Sequence, residues 1–127
     1  MATSKIYRPA DVLENNFGGI HKKGWGHELW IVNNGRYCGK ILHFNKGKMC
    51  SLHFHMVKDE TMYLQSGHLQ VRIIDQGEEI VQEMFPGDAL HIHPGMIHQI
   101  GALEDSDLFE FSTTHHDTDS YRVEKGD

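Results

Sequence analysis

Turn-forming residues interrupt this chain so often that helices of ordinary length have nowhere to sit. Gly24-Trp25-Gly26, Asn33-Asn34-Gly35, Lys46-Gly47-Lys48, Val57-Lys58-Asp59, Ser66-Gly67, Gln76-Gly77, Pro86-Gly87-Asp88 and Pro94-Gly95 mark the breaks. They recur at intervals of roughly 8 to 12 residues, the spacing of short strands in a sandwich or barrel. Asn33-Asn34-Gly35 is a strong hairpin signal, because Asn and Gly tolerate the positive φ that tight hairpin turns demand. The runs between breaks, 27–32, 36–45, 49–56, 60–65, 69–75, 79–85, 89–93, 97–102 and 108–113, are expected as strands. A chain of 127 residues can fill one hydrophobic core but not two. The expectation is a single all-β domain.

One of these strands carries unusual chemistry. His53 and His55 are two positions apart, so in a strand they point to the same face. Ser51 joins them, while Leu52, Phe54 and Met56 take the opposite, apolar face. Glu60 follows a short hairpin step at Val57-Lys58-Asp59 and opens the next strand. Two imidazoles and one carboxylate can therefore converge from adjacent strands on one divalent metal. His98, just after the Pro94-Gly95 break, can supply a fourth ligand. Three His and one Glu suit zinc, iron, manganese, nickel or cobalt better than calcium or magnesium, and do not choose among them.

The same residues carry a family resemblance. Gly47, His53, His55, Glu60 and Gly67, at these spacings, resemble the first signature of the cupins; Gly87, Gly95 and His98 resemble most of the second. The second departs in two places, with His93 where the family has a proline and Ala102 where it has an asparagine. The resemblance implies a double-stranded β-helix, the cupin jelly-roll barrel, with the metal in its wider mouth. It implies His53, His55, Glu60 and His98 as the ligands. The barrel would span 24–114, between an N-terminal arm at 1–23 and a polar C-terminal tail at 115–127 that runs extended over the surface.

Three segments are also similar to the cupin domain of bifunctional bacterial mannose-6-phosphate isomerases. They are Gly24-Trp25-Gly26-His27-Glu28, the stretch from Ser51 through Glu60, and Phe109-Glu110-Phe111-Ser112-Thr113-Thr114-His115 with Asp119 and Arg122. In the middle segment His53 replaces a Gln and Lys58 an Arg. This resemblance implies a sugar or sugar-phosphate substrate and an aldose–ketose isomerisation through a metal-stabilised enediolate. His91, Lys58 and Glu110 are the candidate bases. Lys40, Arg72 and Arg122 are the candidate partners of a phosphate. His115 and His116, in the polar tail, are expected at the surface.

Two other chemistries fit the same ligands. Ferrous iron with open positions would suit a dioxygenase of a small molecule, and a filled site without turnover would suit a metal-dependent sugar-binding or regulatory module. Fold does not separate these.

Composition excludes other classes. The formal charge of -6 argues against an electrostatic nucleic-acid footprint. No apolar run approaches membrane-spanning length, and residues 1–9 lack a signal peptide's apolar stretch, so a cytoplasmic protein is expected. Cys38 and Cys50 are expected as reduced thiols on strands. In the arm, 11–14 is expected to form one helical turn with Asp11 as N-cap. Exposed sheet edges need cover, and the arm is long enough to wrap the barrel or cross to a partner subunit, so a homodimer is expected.

Overall fold

The computed structural model describes residues 6–14 and 19–127. A five-residue helix, α1 (Pro9–Leu13), precedes nine strands: β1 (Gly19–Lys23), β2 (Gly26–Asn33), β3 (Cys38–Phe44), β4 (Leu52–Phe54), β5 (Glu60–Asp75), β6 (Glu78–Met84), β7 (Ala89–Ile92), β8 (Ile97–Ser112) and β9 (Tyr121–Glu124). A 3-10 turn at Asp117–Asp119 leads into β9. Among the described residues no helix is long and apolar enough to cross a membrane.

Two long strands organise the barrel. β5 and β8 pair antiparallel from Glu60↔Ser112 to Ile74↔Ile97. On one half of their length the outer neighbours are β3 beside β8 and β7 beside β5; on the other half they are β4 beside β8 and β6 beside β5. β1 and β2 extend the first half beyond β3, and β9 extends the second beyond β4. The chain thus forms two antiparallel sheets joined by two shared strands, the jelly roll expected from the sequence. The strands expected separately at 60–65 and 69–75 are one, as are those at 97–102 and 108–113. Ser66-Gly67 is not a reversal but an irregularity, with the register shifting between Leu64 and Leu69. Gly67 takes φ +100°, and a Cβ there would be driven into Asp105 and Ser106. Only glycine lets the two shared strands pass this closely at the corner.

Alternation sorts the side chains. In β3, Cys38, Lys40, Leu42 and Phe44 point inward; in β5, Glu60, Met62 and Leu64; in β8, His98, Ile100 and Ala102, then Ser106, Leu108 and Glu110. Apolar members of these rows form one cluster with Trp25, Cys50, Leu69, Val71, Ile73, Met84 and Ile92, and Trp25 stacks on Phe44 at 4.1 Å. Lys40, Glu60, Glu110 and His98 are equally buried. One end of the barrel is therefore a hydrocarbon core, and the other holds charged groups that must find partners inside.

Several local expectations change. β4 is only three residues, because Met49 and Cys50 bond singly to β8, through a bridge to Gly101 and Cys50 N to Ile100 O at 3.0 Å. Of its expected apolar face, Leu52 is fully buried, Phe54 stacks on Tyr121 at 5.1 Å, and Met56 lies exposed beyond the strand. In α1 the N-cap is Arg8 rather than Asp11. Pro9 starts the helix, and the Asp11 carboxylate accepts Arg8 N–H at 2.7 Å from the third helical position. Part of the arm is β1; its positions 1–5 and 15–18 lie outside the described residues. The end of the tail is exposed, as expected, but its residues Tyr121–Glu124 form β9, which pairs with β4 through Leu52↔Glu124 and His53↔Arg122.

Candidate metal centre

The charged end of the barrel is built from β4 outward. His53 leaves β4 inward, and His55 follows on the same side just past its end. β8 brings His98 opposite His53 in the ladder. One ring nitrogen from each of the three lies within 4.8 Å of the others. The other nitrogen of each ring is tied to backbone: His53 Nδ1 to Ser51 O at 2.8 Å, His55 Nδ1 to Asp119 O at 2.8 Å, and His98 Nδ1 to Met96 O at 3.0 Å. A carbonyl can only accept, so each Nδ1 carries the proton and each Nε2 presents a lone pair. This is the arrangement by which outer partners orient metal-binding imidazoles.

Electrostatics favour the same role. Burial is the first cause pushing all three imidazoles down to about 4; His98 adds to it at His53, Lys58 at His55, and His55 at His98. The rings are therefore neutral near pH 7, the form that ligates a metal. Glu60 stands beside them, its Oε2 3.5 Å from His55 Nε2 and 3.3 Å from Lys58 Nζ. Neither Glu60 oxygen nor His98 Nε2 has a hydrogen-bond partner among the described residues, although all three atoms are buried. Unpartnered acceptors of this kind are rare in a folded interior; a cation held by the three imidazoles would satisfy His98 Nε2, while Glu60 stands beside that cluster rather than within it. The donor set fits one divalent metal. Burial, reinforced by Glu110, raises the Glu60 carboxyl above its ordinary range.

A layer of charge surrounds the triad. Lys58 Nζ donates to Glu110 Oε2 at 3.1 Å and to His115 Nδ1 at 3.2 Å. Ser112 Oγ also donates to Glu110 Oε2, at 3.0 Å. An ammonium has no lone pair, so His115 Nδ1 accepts, and its Nε2–H donates to Asp117 Oδ1 at 2.9 Å. Burial alone would raise Glu110, but Lys58 and Lys40 hold it well below the usual carboxylate range. Burial opposes the charge of Lys58 too, and Glu110 and Glu60 more than offset it. On β2 and β3, Glu28 accepts from Trp30 Nε1 at 2.7 Å and Lys40 Nζ at 3.2 Å. Apart from Ser112, these groups line one cavity of about 650 Å³ together with His53, His55, Glu60 and His98.

Of the residues singled out from sequence, His53, His55, Glu60, His98, Lys40, Lys58, Glu110 and Arg122 line this cavity, and His91 and Arg72 do not. His91 points out of the barrel, its side chain 60% exposed and its Nε2 2.7 Å from Asp59 Oδ1. Its neighbour Ile92 takes the inward position on β7. Arg72 lies between inward Val71 and Ile73 and pairs outside with Glu79 and Glu124. Several cavity or supporting residues were not singled out as site residues. His115, expected at the surface, and Asp119 reach the site because the tail returns beside β4. Glu28 and Trp30 face inward through alternation on β2, a strand whose mixed burial hides its parity.

A search of curated proteins returned no match. Among solved structures, CapF with the inhibitor 3-isopropenyl-tropolone is similar at 20% identity and TM-score 0.72, over 83% of this chain and 34% of its own. Oxalate decarboxylase from Bacillus subtilis is similar at 19% and 0.73, over 82% and 29%. KdgF from Halomonas sp. is similar at 20% and 0.67, over 83% and 94%. The chain thus spans about a third of the first two and nearly all of the third. These likenesses concern the fold. A family model described as Cupin matches residues 4–124, and with the jelly roll and the inward His triad already in view, the chain belongs to the cupin family.

Proposed function

We propose that this cupin is a metal-dependent isomerase of small carbonyl compounds rich in hydroxyl groups, a sugar or sugar phosphate, and that it moves a proton between adjacent carbons. The observation that carries the reading is a charged lysine, Lys58, paired at 3.3 Å with the buried Glu60 carboxylate inside the cavity that holds three neutral imidazoles. A divalent metal held by His53, His55, His98 and Glu60 would polarise a bound carbonyl oxygen and make the neighbouring C–H more acidic. Manganese is one candidate, since Mn(II) centres are described for the similar Bacillus subtilis oxalate decarboxylase.

Lys58 supplies a fixed positive charge near a substrate oxygen that becomes negative as the proton leaves. Glu110 and Ser112 hold that ammonium in place. Glu110 itself is a poor base, because burial is outweighed by Lys58 and Lys40, which hold its carboxyl down to about 2, far from the range suited to proton abstraction near neutral pH. Lys22, Lys23, Arg122 and Lys125 line the same cavity and have no ion-pair partner among the described residues. They are the groups that would meet a phosphate, in place of the exposed Arg72. The three segments similar to mannose-6-phosphate isomerases support the choice of substrate class.

The test is metal analysis of protein purified without added metal, followed by NMR of sugars and sugar phosphates in D2O. Exchange at C2 with interconversion of aldose and ketose is expected. Bound iron with substrate-dependent oxygen uptake and no exchange would replace the isomerase by a dioxygenase. Saturable sugar binding without exchange or turnover would leave a binding module.

A further inference from the structure

The isomerase reading needs a group that takes the carbon-bound proton, and neither Lys58 nor Glu110 is free to do so. We propose that Glu28 is that catalytic base, an assignment that rests on the reading above. Glu28 lies on β2, in the wall of the cavity, with its side chain 15% exposed. Trp30 Nε1 and Lys40 Nζ both bond to the same oxygen, Oε1. Oε2 has no partner among the described residues, so one oxygen anchors the carboxylate and the other remains available to a ligand.

The anchor is itself immobilised. His21 stacks on the Trp30 ring at 4.0 Å, the Lys40 ammonium sits 4.1 Å from the Trp30 ring centroid, and His115 meets the ring edge-on at 5.1 Å. Protein groups already occupy the surroundings of the indole, so it serves less as a platform for a sugar ring than as a fixed donor that aims Glu28. Lys40 is 2% exposed; it keeps Glu28 ionised and therefore able to accept a proton, helped by Trp30 against the opposing effect of burial. Two costly features, a buried lysine and a mid-strand carboxylate, thereby acquire one shared purpose.

The step balances without a further reagent. Glu28 Oε2 takes the proton from C2 of an aldose; the C–H electron pair becomes the C1–C2 double bond, and the carbonyl pair moves onto O1. The protonated Glu28 returns the proton to C1, and the hydroxyl proton passes from O2 to O1, leaving the ketose. Glu28 ends as it began.

The experiment compares wild type, Glu28→Gln and Glu28→Ala as full-length, metal-loaded protein. Glu28→Gln keeps an oxygen for Trp30 and Lys40. It is expected to keep its metal content, fold and affinity for a polyol analogue, and to lose C2–H exchange by about a hundred- to ten-thousand-fold. Glu28→Ala is expected to regain part of the exchange when formate is added. A second readout is independent of turnover. With 13C-labelled glutamate, the resonance lost in Glu28→Gln should shift when the polyol binds wild type. Wild-type exchange that survives in Glu28→Gln, or a Glu28 resonance unmoved by the polyol, overturns the assignment alone. Absence of exchange in wild type overturns both the isomerase and its base.

Discussion

His55 and Asp119 hold each other across 64 positions of sequence. The ring Nδ1 of His55 donates to the Asp119 carbonyl at 2.8 Å, while the Asp119 carboxylate accepts the backbone N–H groups of Met56, Val57 and Lys58 at 2.9 to 3.2 Å. One residue thus orients a ligand and closes the turn that delivers Lys58 and Glu60. Burial would raise its carboxyl, but these N–H groups hold it below the ordinary range. Asp119→Ala should cost roughly 1–3 kcal/mol, the penalty of leaving buried donors unpaired. It should also weaken metal binding by about 10- to 100-fold through loss of ligand orientation. Urea denaturation and metal titration of the same variant check the two parts. Because the folded pKa is lowered, this stabilisation is present above the unfolded value and fades as pH falls through the folded one.

Glu60→Gln separates folding from metal binding. In the metal-free chain burial and Glu110 outweigh the 3.3 Å ion pair with Lys58, so removing its charge should stabilise that form by roughly 1–3 kcal/mol at pH 8. Metal affinity should fall at least about tenfold. The pH dependence has a definite sign. A carboxyl whose folded pKa is raised from 4.5 to about 7 binds its proton more tightly when folded, so it destabilises the metal-free protein as pH rises across that window. Thermal melts from pH 4 to 8 should show this slope in wild type and its loss in Glu60→Gln. Unchanged metal content in the variant would remove Glu60 from the ligand set.

The imidazoles act in the opposite direction. Each of His53, His55 and His98 has a folded value of about 4 against an ordinary 6.5. The unfolded chain therefore takes up protons first, and the metal-free fold loses stability as pH falls from about 6.5 towards 4. Metal affinity, measured with a competing chelator, should stay nearly level from pH 7 to about 5 and drop steeply near 4. A decline centred near 6.5 would mean that the rings are solvated rather than buried.

Lys58 and Glu110 should behave as a coupled pair. Lys58→Met leaves Glu110 and Glu60 buried without their nearest cation, at an expected cost of about 3–5 kcal/mol. Adding Glu110→Leu should recover part of that loss, so the double variant is less unstable than the two single ones summed. A double-mutant cycle from guanidinium melts supplies the coupling energy. Additive losses would show that the two charges are independently solvated.

The residues legible in the sequence were those whose position follows from local geometry. His53 and His55 needed only the two-residue period of a strand, and Glu60 and His98 needed only a turn before each. The rhythm of the turns pointed to an all-β domain, and the cupin resemblance narrowed it to a jelly roll. Parity was harder. His91 sits on a four-residue strand, too short to reveal its inner face, although Val71 and Ile73 flank Arg72 and already mark it as outward. Gly67 reads as a reversal until the chain across the corner is known. His115 and Asp119 were opaque for another reason: nothing local says that a polar tail returns to pair with β4, and both owe their roles to that return.

The pairing of β9 with β4 has a consequence for how the protein is made. Translation delivers His53, His55 and His98 well before Asp119 and β9, so all three imidazoles emerge while the acceptor that aims His55 is still unsynthesised. A nascent chain arrested before Asp119 would hold the donor atoms without their alignment. A metal that needs the three imidazoles aligned would load only once Asp119 is in place, and the last turn and strand act as the clasp on the triad.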